Sequence, residues 1–275
     1  MSRATVERAG VPPPTPEPLA VPVADAHCHL DLMGTDLDEA VALATSVGVD
    51  RLVTIGVDVA SSQLAAAQAQ SHPAIHAAAA LHPNQAYEAT DAALTEIARL
   101  AALPHVRAVG ETGLDFYRDT AEVIDQQRSF RAHIQIAKDS GKALVIHDRE
   151  AHDAVLAAIA EEGAPEQTVF HCFSGDAAMA RVCADRGYVM SFAGNITFKN
   201  AQGLRAAVAV APLDLLLVET DAPFLTPMPH RGAPNAPYLI PLTVRAMAEI
   251  KRVPVDELCH ALSANADRVF GPWAN

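Results

Sequence analysis

The chain has 275 residues, half of them hydrophobic and 19% charged, a balance that supplies a sizeable core and excludes a disordered polyelectrolyte. Its 33 acidic side chains outnumber 20 basic ones, for a net charge of −13, which excludes a protein that grips a long polyanion by broad electrostatics and leaves room for cations in an acidic shell. Four cysteines (Cys28, Cys172, Cys183, Cys259) form no disulfide framework, no apolar run reaches the roughly 18 residues needed to span a bilayer, and no basic-then-apolar signal opens the chain, so the expected setting is the cytoplasm.

Residues 1–21 are Pro-rich, with "VPPPTPEPLAVP" among them, and read as an extended, mobile leader. The rest, 22–275, is close to the roughly 250 residues of a (β/α)8 barrel and reads as one domain. Short apolar runs then alternate with Ala-rich amphipathic ones. Predicted strands are Val23–His29, Arg51–Val57, Ile75–Leu81, Val106–Glu111, Ala143–His147, Thr168–His171, Tyr188–Phe192 and Leu215–Thr220. Between them fall helices over Leu37–Val47, Ser61–Gln70, Ala92–Ala101, Glu122–Ser140, Ala151–Glu162, Ala177–Arg186 and Ala201–Val210, followed by Leu239–Ile250 and Val255–Phe270. Several strands are apolar on both faces, as parallel strands covered by helices are. Eight strands in strict alternation with helices predict a closed parallel TIM barrel, an α/β fold.

The chemistry-bearing residues sit at the ends of these strands. In "DAHCHLD", His27 and His29 are two apart on a strand and share a side, while Cys28 faces away. Glu111 ends the fourth strand, His147 the fifth and His171 the sixth, and Asp221 follows the eighth. Singly, each has an ordinary structural explanation, an N-cap carboxylate or a hydrogen-bonded histidine. Together they are harder to dismiss, because barrel strands end on one face, where active sites lie. Four imidazoles and two carboxylates gathered there would be costly without cations. Six ligands exceed the three that one catalytic ion needs. The expected centre therefore holds two divalent ions: one on His27, His29 and Asp221, a second on His147 and His171, with Glu111 bridging. Mixed imidazole and carboxylate ligands suit Zn, Mn or Mg.

The strings "DAHCHLD", "GETGLDFYRD", "VIHDR", "FHCFSG", "ITFKN", "VETDAPFLTP" and "RGAPNAPY", taken in order, resemble the TatD family of metal-dependent deoxyribonucleases from roughly Val23 to Phe270. The resemblance implies a (β/α)8 barrel of the amidohydrolase type, magnesium-dependent 3′-to-5′ exonuclease activity, and ligand roles at His27, His29, Glu111, His147, His171 and Asp221. One departure is Ala236, in "NAP", where the family often has Asn-Glu-Pro. If that glutamate orients substrate, rate or preference differs in this chain.

The expected reaction is hydrolysis of a phosphodiester, with single-stranded or frayed DNA ends as substrate and no membrane partner. Asp221 is the candidate proton acceptor. Glu219, two residues earlier and on the same side of a regular strand, takes an acid–base or supporting role. Arg149 is a candidate phosphate fork, His82 a candidate leaving-group or phosphate contact, and Phe116 and Tyr117 are candidate stacking platforms. Arg231, in a predicted loop on the active face, is a further candidate substrate contact, Lys199 lies in another such loop, and Cys172 reads as a buried thiol. The main alternative is an amidohydrolase or deacylase on the same barrel, for example on D-aminoacyl-tRNA. Related barrels often bridge their metals with a carboxylated lysine on the fourth strand, and here no lysine lies between Val106 and Tyr117. A non-catalytic scaffold is disfavoured because no ligand is missing.

Overall fold

The computed structural model describes residues 10–118 and 120–273. In chain order the elements are β1 (Val23–Cys28), α1 (Leu37–Thr45), β2 (Val49–Ile55), α2 (Val59–Ser71), β3 (Ile75–Ala79), α3 (Asp91–Ala101), β4 (Val106–Asp115), α4 (Val123–Ser140), β5 (Ala143–Arg149), α5 (His152–Glu162) and β6 (Thr168–Phe170). They continue with α6 (Ala177–Asp185), β7 (Val189–Phe192), α7 (Gln202–Val210), β8 (Leu216–Val218), α8 (Ile240–Lys251) and α9 (Val255–Phe270). The eight strands form one sheet in the order β1 to β8. The segment after β8 makes a parallel bridge from Ala222 back to Cys28 at the end of β1. This is the (β/α)8 barrel that the alternation predicts. Among the described residues no helix is long and apolar enough to cross a membrane.

The described residues fall into two compact units, one within 54–171 and one formed by 10–53 with 172–273. In the first, β4 pairs in parallel with β3 and β5, and β5 with β6. The strands are buried along their whole length apart from a few positions such as Arg107, His147 and Arg149. The helices start where the sequence supplies a cap. The Asp58 and Ser61 side chains form a capping box that moves the start of α2 back to Val59, two residues before the predicted start. The Thr90 hydroxyl caps α3.

β4 runs on to Asp115, four residues past the predicted end, and β5 runs to Arg149. Gly113 permits this. It has φ +144, and a Cβ there would stand 2.1 Å from the His147 carbonyl oxygen, so only glycine lets the two backbones meet at this point. The register shifts between Val109 and Thr112, around Glu111, an irregularity of the kind that re-aims a side chain beside an active site.

In the second unit β7 and β8 pair in parallel, and α9 lies against β1 and β8. β8 is shorter than predicted, ending at Val218 rather than Thr220. The chain turns there, because Asp221 adopts φ +53 and the Thr220 hydroxyl donates to Asp25 Oδ2 at 2.5 Å. Part of the leader, 1–9, lies outside the described residues. Residues 10–21 take no regular helix or strand but carry contacts. Tyr238 Oη donates to the Pro13 carbonyl at 2.6 Å. Arg245 Nη2 donates to the Glu17 carbonyl at 2.8 Å, and Leu19 N donates to the Val47 carbonyl at 3.0 Å.

Candidate metal-binding active site

In the first unit, three predicted residues converge with a fourth on one atom. Glu111 Oε1 lies 2.6 Å from His147 Nδ1, 2.8 Å from His171 Nε2 and 3.3 Å from His82 Nε2. Glu111 is 4% exposed and His171 6%. Burial pushes the Glu111 carboxyl up, but the charge of His171 and His82 and hydrogen bonds from His147 and His171 outweigh it and hold the group well below the usual carboxylate range. His147 moves the other way. Burial disfavours its charged form, and its bonds to Asp115 and Glu111 overcome that and raise it.

This donor set fits a divalent ion. A carboxylate oxygen has two lone pairs, and here three ring nitrogens surround it. His82, Glu111 and His147 each offer a ligand atom within 4.8 Å of the others. Imidazole nitrogen with carboxylate oxygen is the ligand chemistry of Zn and Mn, and the carboxylate also suits Mg.

His82 is different in kind. Its Nδ1 accepts from Asn84 N at 3.0 Å, and burial lowers its pKa to about 4. The neutral ring therefore carries its proton on Nε2 and points it at Glu111. Arg149, the candidate phosphate fork, lies with its Cζ 4.0 Å from the Tyr117 ring centroid. Tyr117 is 60% and Phe116 38% exposed, which leaves both rings open to a stacking partner.

In the second unit, His27 and His29 meet edge to face with ring centroids 5.2 Å apart. Asp221 Oδ1 lies 3.4 Å from His29 Nε2 and 4.0 Å from His27 Nε2. These three predicted ligands are thus brought together. The Cys28 thiol points away and donates to the Val53 carbonyl at 3.4 Å. Glu219 is fully buried and its Oε1 accepts from Cys172 N at 2.8 Å. Glu219 and Asp221 do not share the side of a regular strand as expected, since β8 ends at Val218, before both. Cys172 is partly rather than fully buried, because it leaves the strand with φ +41. Arg231 is exposed, with its Cζ 4.4 Å from the Phe198 ring centroid, and Lys199 is exposed.

Three residues escaped the sequence reading. Asp115 sits against the second nitrogen of His147, with Oδ2 3.1 Å from Nε2. Asp25 accepts from Thr220 N at 2.9 Å and His27 N at 3.2 Å. Burial pushes its carboxyl up to about 7, against the hydrogen bonds from Thr220 and His27. Asn235 donates to the carbonyls of Thr220, at 2.9 Å, and Phe224, bracing the turn that carries Asp221. Ala236, at the position of the family's glutamate, bonds through its backbone, its N–H donating to Asn235 Oδ1 and its carbonyl accepting from Leu239 N. A period-two signal was available for Asp25, which stands two residues before His27 as His29 stands two after.

A model of the family described as TatD related DNase matches residues 24–271. The chain belongs to the TatD family. It is 45% identical over 256 residues to the uncharacterized metal-dependent hydrolase TatD of Mycobacterium tuberculosis, covering 90% of this chain and 97% of that one. It is 36% identical to the uncharacterized metal-dependent hydrolase YcfH of Escherichia coli K12, covering 90% and 94%. Among solved structures, the TatD homologue YJJV of Escherichia coli K12 superposes with a TM-score of 0.86 at 29% identity, covering 91% and 98%. The TatD family hydrolase of Entamoeba histolytica gives 0.82 at 17%, covering 92% and 99%, a likeness of fold alone.

Proposed function

We propose that this TatD-family chain is a metal-dependent hydrolase of phosphodiesters: a deoxyribonuclease that removes nucleotides 3′ to 5′ from single-stranded or frayed DNA ends in the cytoplasm. The observation that carries the reading is the convergence of His147, His171 and His82 nitrogens on Glu111 Oε1. Membership of a family described as related to DNase supports the substrate class.

In this reading His27, His29 and Asp221 would hold one divalent ion, and His147, His171 and Glu111 a second. Bound there, they would lower the pKa of water toward neutrality and neutralise charge building on the phosphate oxygens. Asp221, with a side chain 16% exposed, is reachable from solvent and accepts the proton of the attacking water. Glu219, closed off and bonded to Cys172 N, holds the segment after β6 in place. His82 presents an N–H toward the same point and steadies the Glu111 carboxylate or a phosphate oxygen. Arg149 receives a phosphate while its flat face rests on Tyr117, and the exposed face of Tyr117 receives a base.

The test is direct. Chelation should abolish cleavage of a DNA oligomer, and Mg, Mn or Zn should restore it. Asp221→Asn should lower kcat by two or more orders of magnitude, on the order of the loss when a catalytic proton acceptor goes, with an unchanged circular dichroism spectrum. Chelator-resistant cleavage refutes the metal reading. Turnover of D-aminoacyl-tRNA with none of DNA replaces nuclease by deacylase.

A further inference from the structure

β4 ends on a side chain that the reaction above does not use. Asp115 is 1% exposed, and both of its carboxylate oxygens are committed. Oδ1 accepts from Tyr117 N at 3.0 Å and Arg118 N at 2.9 Å, folding the loop after β4. Oδ2 faces His147 Nε2 at 3.1 Å, with Asn84 Nδ2 at 3.5 Å. The main chain of Asp115 is held from behind by Gln126 of α4. Asp115 N donates to Gln126 Oε1 at 2.8 Å, and Gln126 Nε2 donates to the Asp115 carbonyl at 3.1 Å.

The consequence falls on His147. A neutral imidazole has one N–H and one lone pair, and only the bare nitrogen binds a cation. A carboxylate only accepts, and both ring nitrogens face one: Nδ1 stands 2.6 Å from Glu111 Oε1 and Nε2 3.1 Å from Asp115 Oδ2. A cation held beside Glu111 would take Nδ1 in place of its proton, and the proton that Asp115 keeps on Nε2 would be the one that remains. We propose that Asp115 is the positioning residue that sets the tautomer and direction of His147 for metal binding and, through its other oxygen, places the Tyr117 loop on which Arg149 rests. The proposal depends on His147 being a metal ligand, as read above. It ties a metal ligand and a substrate-facing pair to one carboxylate.

Asp115→Asn separates the two duties. An amide has one acceptor oxygen. The two loop N–H groups retain that oxygen, and the amide NH2 turns toward His147 Nε2, which must then accept. The ring proton moves to Nδ1 and metal binding is opposed. Calorimetric titration with Mn or Zn should show affinity reduced 10–100-fold, the usual effect of removing an outer partner of a ligating histidine, while the circular dichroism spectrum and melting temperature stay near those of the unaltered protein. Independently of any variant, long-range 15N–1H correlation spectra of the zinc-loaded unaltered protein should show the His147 proton on Nε2. Affinity of Asp115→Asn within about twofold of the unaltered protein, well outside that range, overturns the proposal. So does a His147 proton on Nδ1 in the zinc-loaded protein. Unaltered protein that takes up neither ion refutes the metal reading itself and the proposal with it. Uptake by the unaltered protein with no loss in the variant refutes the proposal alone.

Discussion

His133 of α4 is a fully buried imidazole with a fixed protonation state, and acid should expose it. Leu81 N donates to its Nε2 at 3.0 Å, and its Nδ1 lies 2.7 Å from the Ser129 carbonyl, so the ring proton is on Nδ1 and Nε2 must stay bare. Burial, offset in part by the Ser129 bond, lowers its pKa from 6.5 to about 4. The unfolded chain therefore binds a proton between those values that the folded chain refuses. The stability this contributes is complete above pH 6.5 and is lost as the pH falls toward 4. At about 1.4 kcal/mol per pH unit the interval is worth about 3 kcal/mol, a large share of the roughly 5–15 kcal/mol of a typical domain. Urea unfolding from pH about 7 to about 4 measures it against His133→Gln, whose amide oxygen still accepts from Leu81 N and does not titrate. Carboxylates titrate alike in both proteins and cancel in the difference. The unaltered protein should lose about 3 kcal/mol more than the variant. Parallel losses would refute the assignment of the neutral, Nδ1-protonated ring.

Gly113→Ala would drive a methyl to 2.1 Å from the His147 carbonyl at φ +144. It should cost about 3 kcal/mol in urea unfolding and weaken metal uptake, and a cost under about 0.5 kcal/mol would show that the two strands do not meet as described. Tyr238→Phe removes the donor to the buried Pro13 carbonyl. A loss of about 1–2 kcal/mol and faster proteolysis near residues 10–21 are expected, and unchanged proteolysis would count against the leader contacts. With a net charge of −13, oligomer binding should weaken only gently with salt, with a log–log slope of about −2 or shallower if three or fewer phosphates are neutralised. A steep slope would contradict a site confined to a few phosphates.

Much of the architecture was legible because the strands are apolar on both faces and each is followed by an amphipathic run. Glu111, His147 and His171 were legible as a set because each is the polar residue that closes such a run. The errors lie where one side chain decides. The predicted β4 ends at Glu111, the polar residue that closes its apolar run, whereas the missing Cβ of Gly113 allows the strand to continue past His147. The predicted β8 carries two polar residues, Glu219 and Thr220, beyond its apolar run Leu215–Val218. A partner 195 residues away, Asp25, turns Thr220 out of the ladder, and nothing local announces it. Asp115 stood in plain view in "GETGLDFYRD", but its meaning depends on a histidine 32 residues later. Gln126 and His133 carry no local mark of their roles, since side chains that bond to backbone leave no pattern in sequence.

α4 grips its neighbours by their peptide groups: Gln126 takes the N–H and carbonyl of residue 115, and His133 takes the N–H of residue 81. Every amino acid except proline offers that N–H. The hold at position 81 is therefore indifferent to the side chain displayed there, and the same grip on the main chain of 115 survives replacement of its carboxylate. A barrel braced in this way can exchange the groups at its mouth while the frame beneath stays put, which opens a route to new chemistries without refolding.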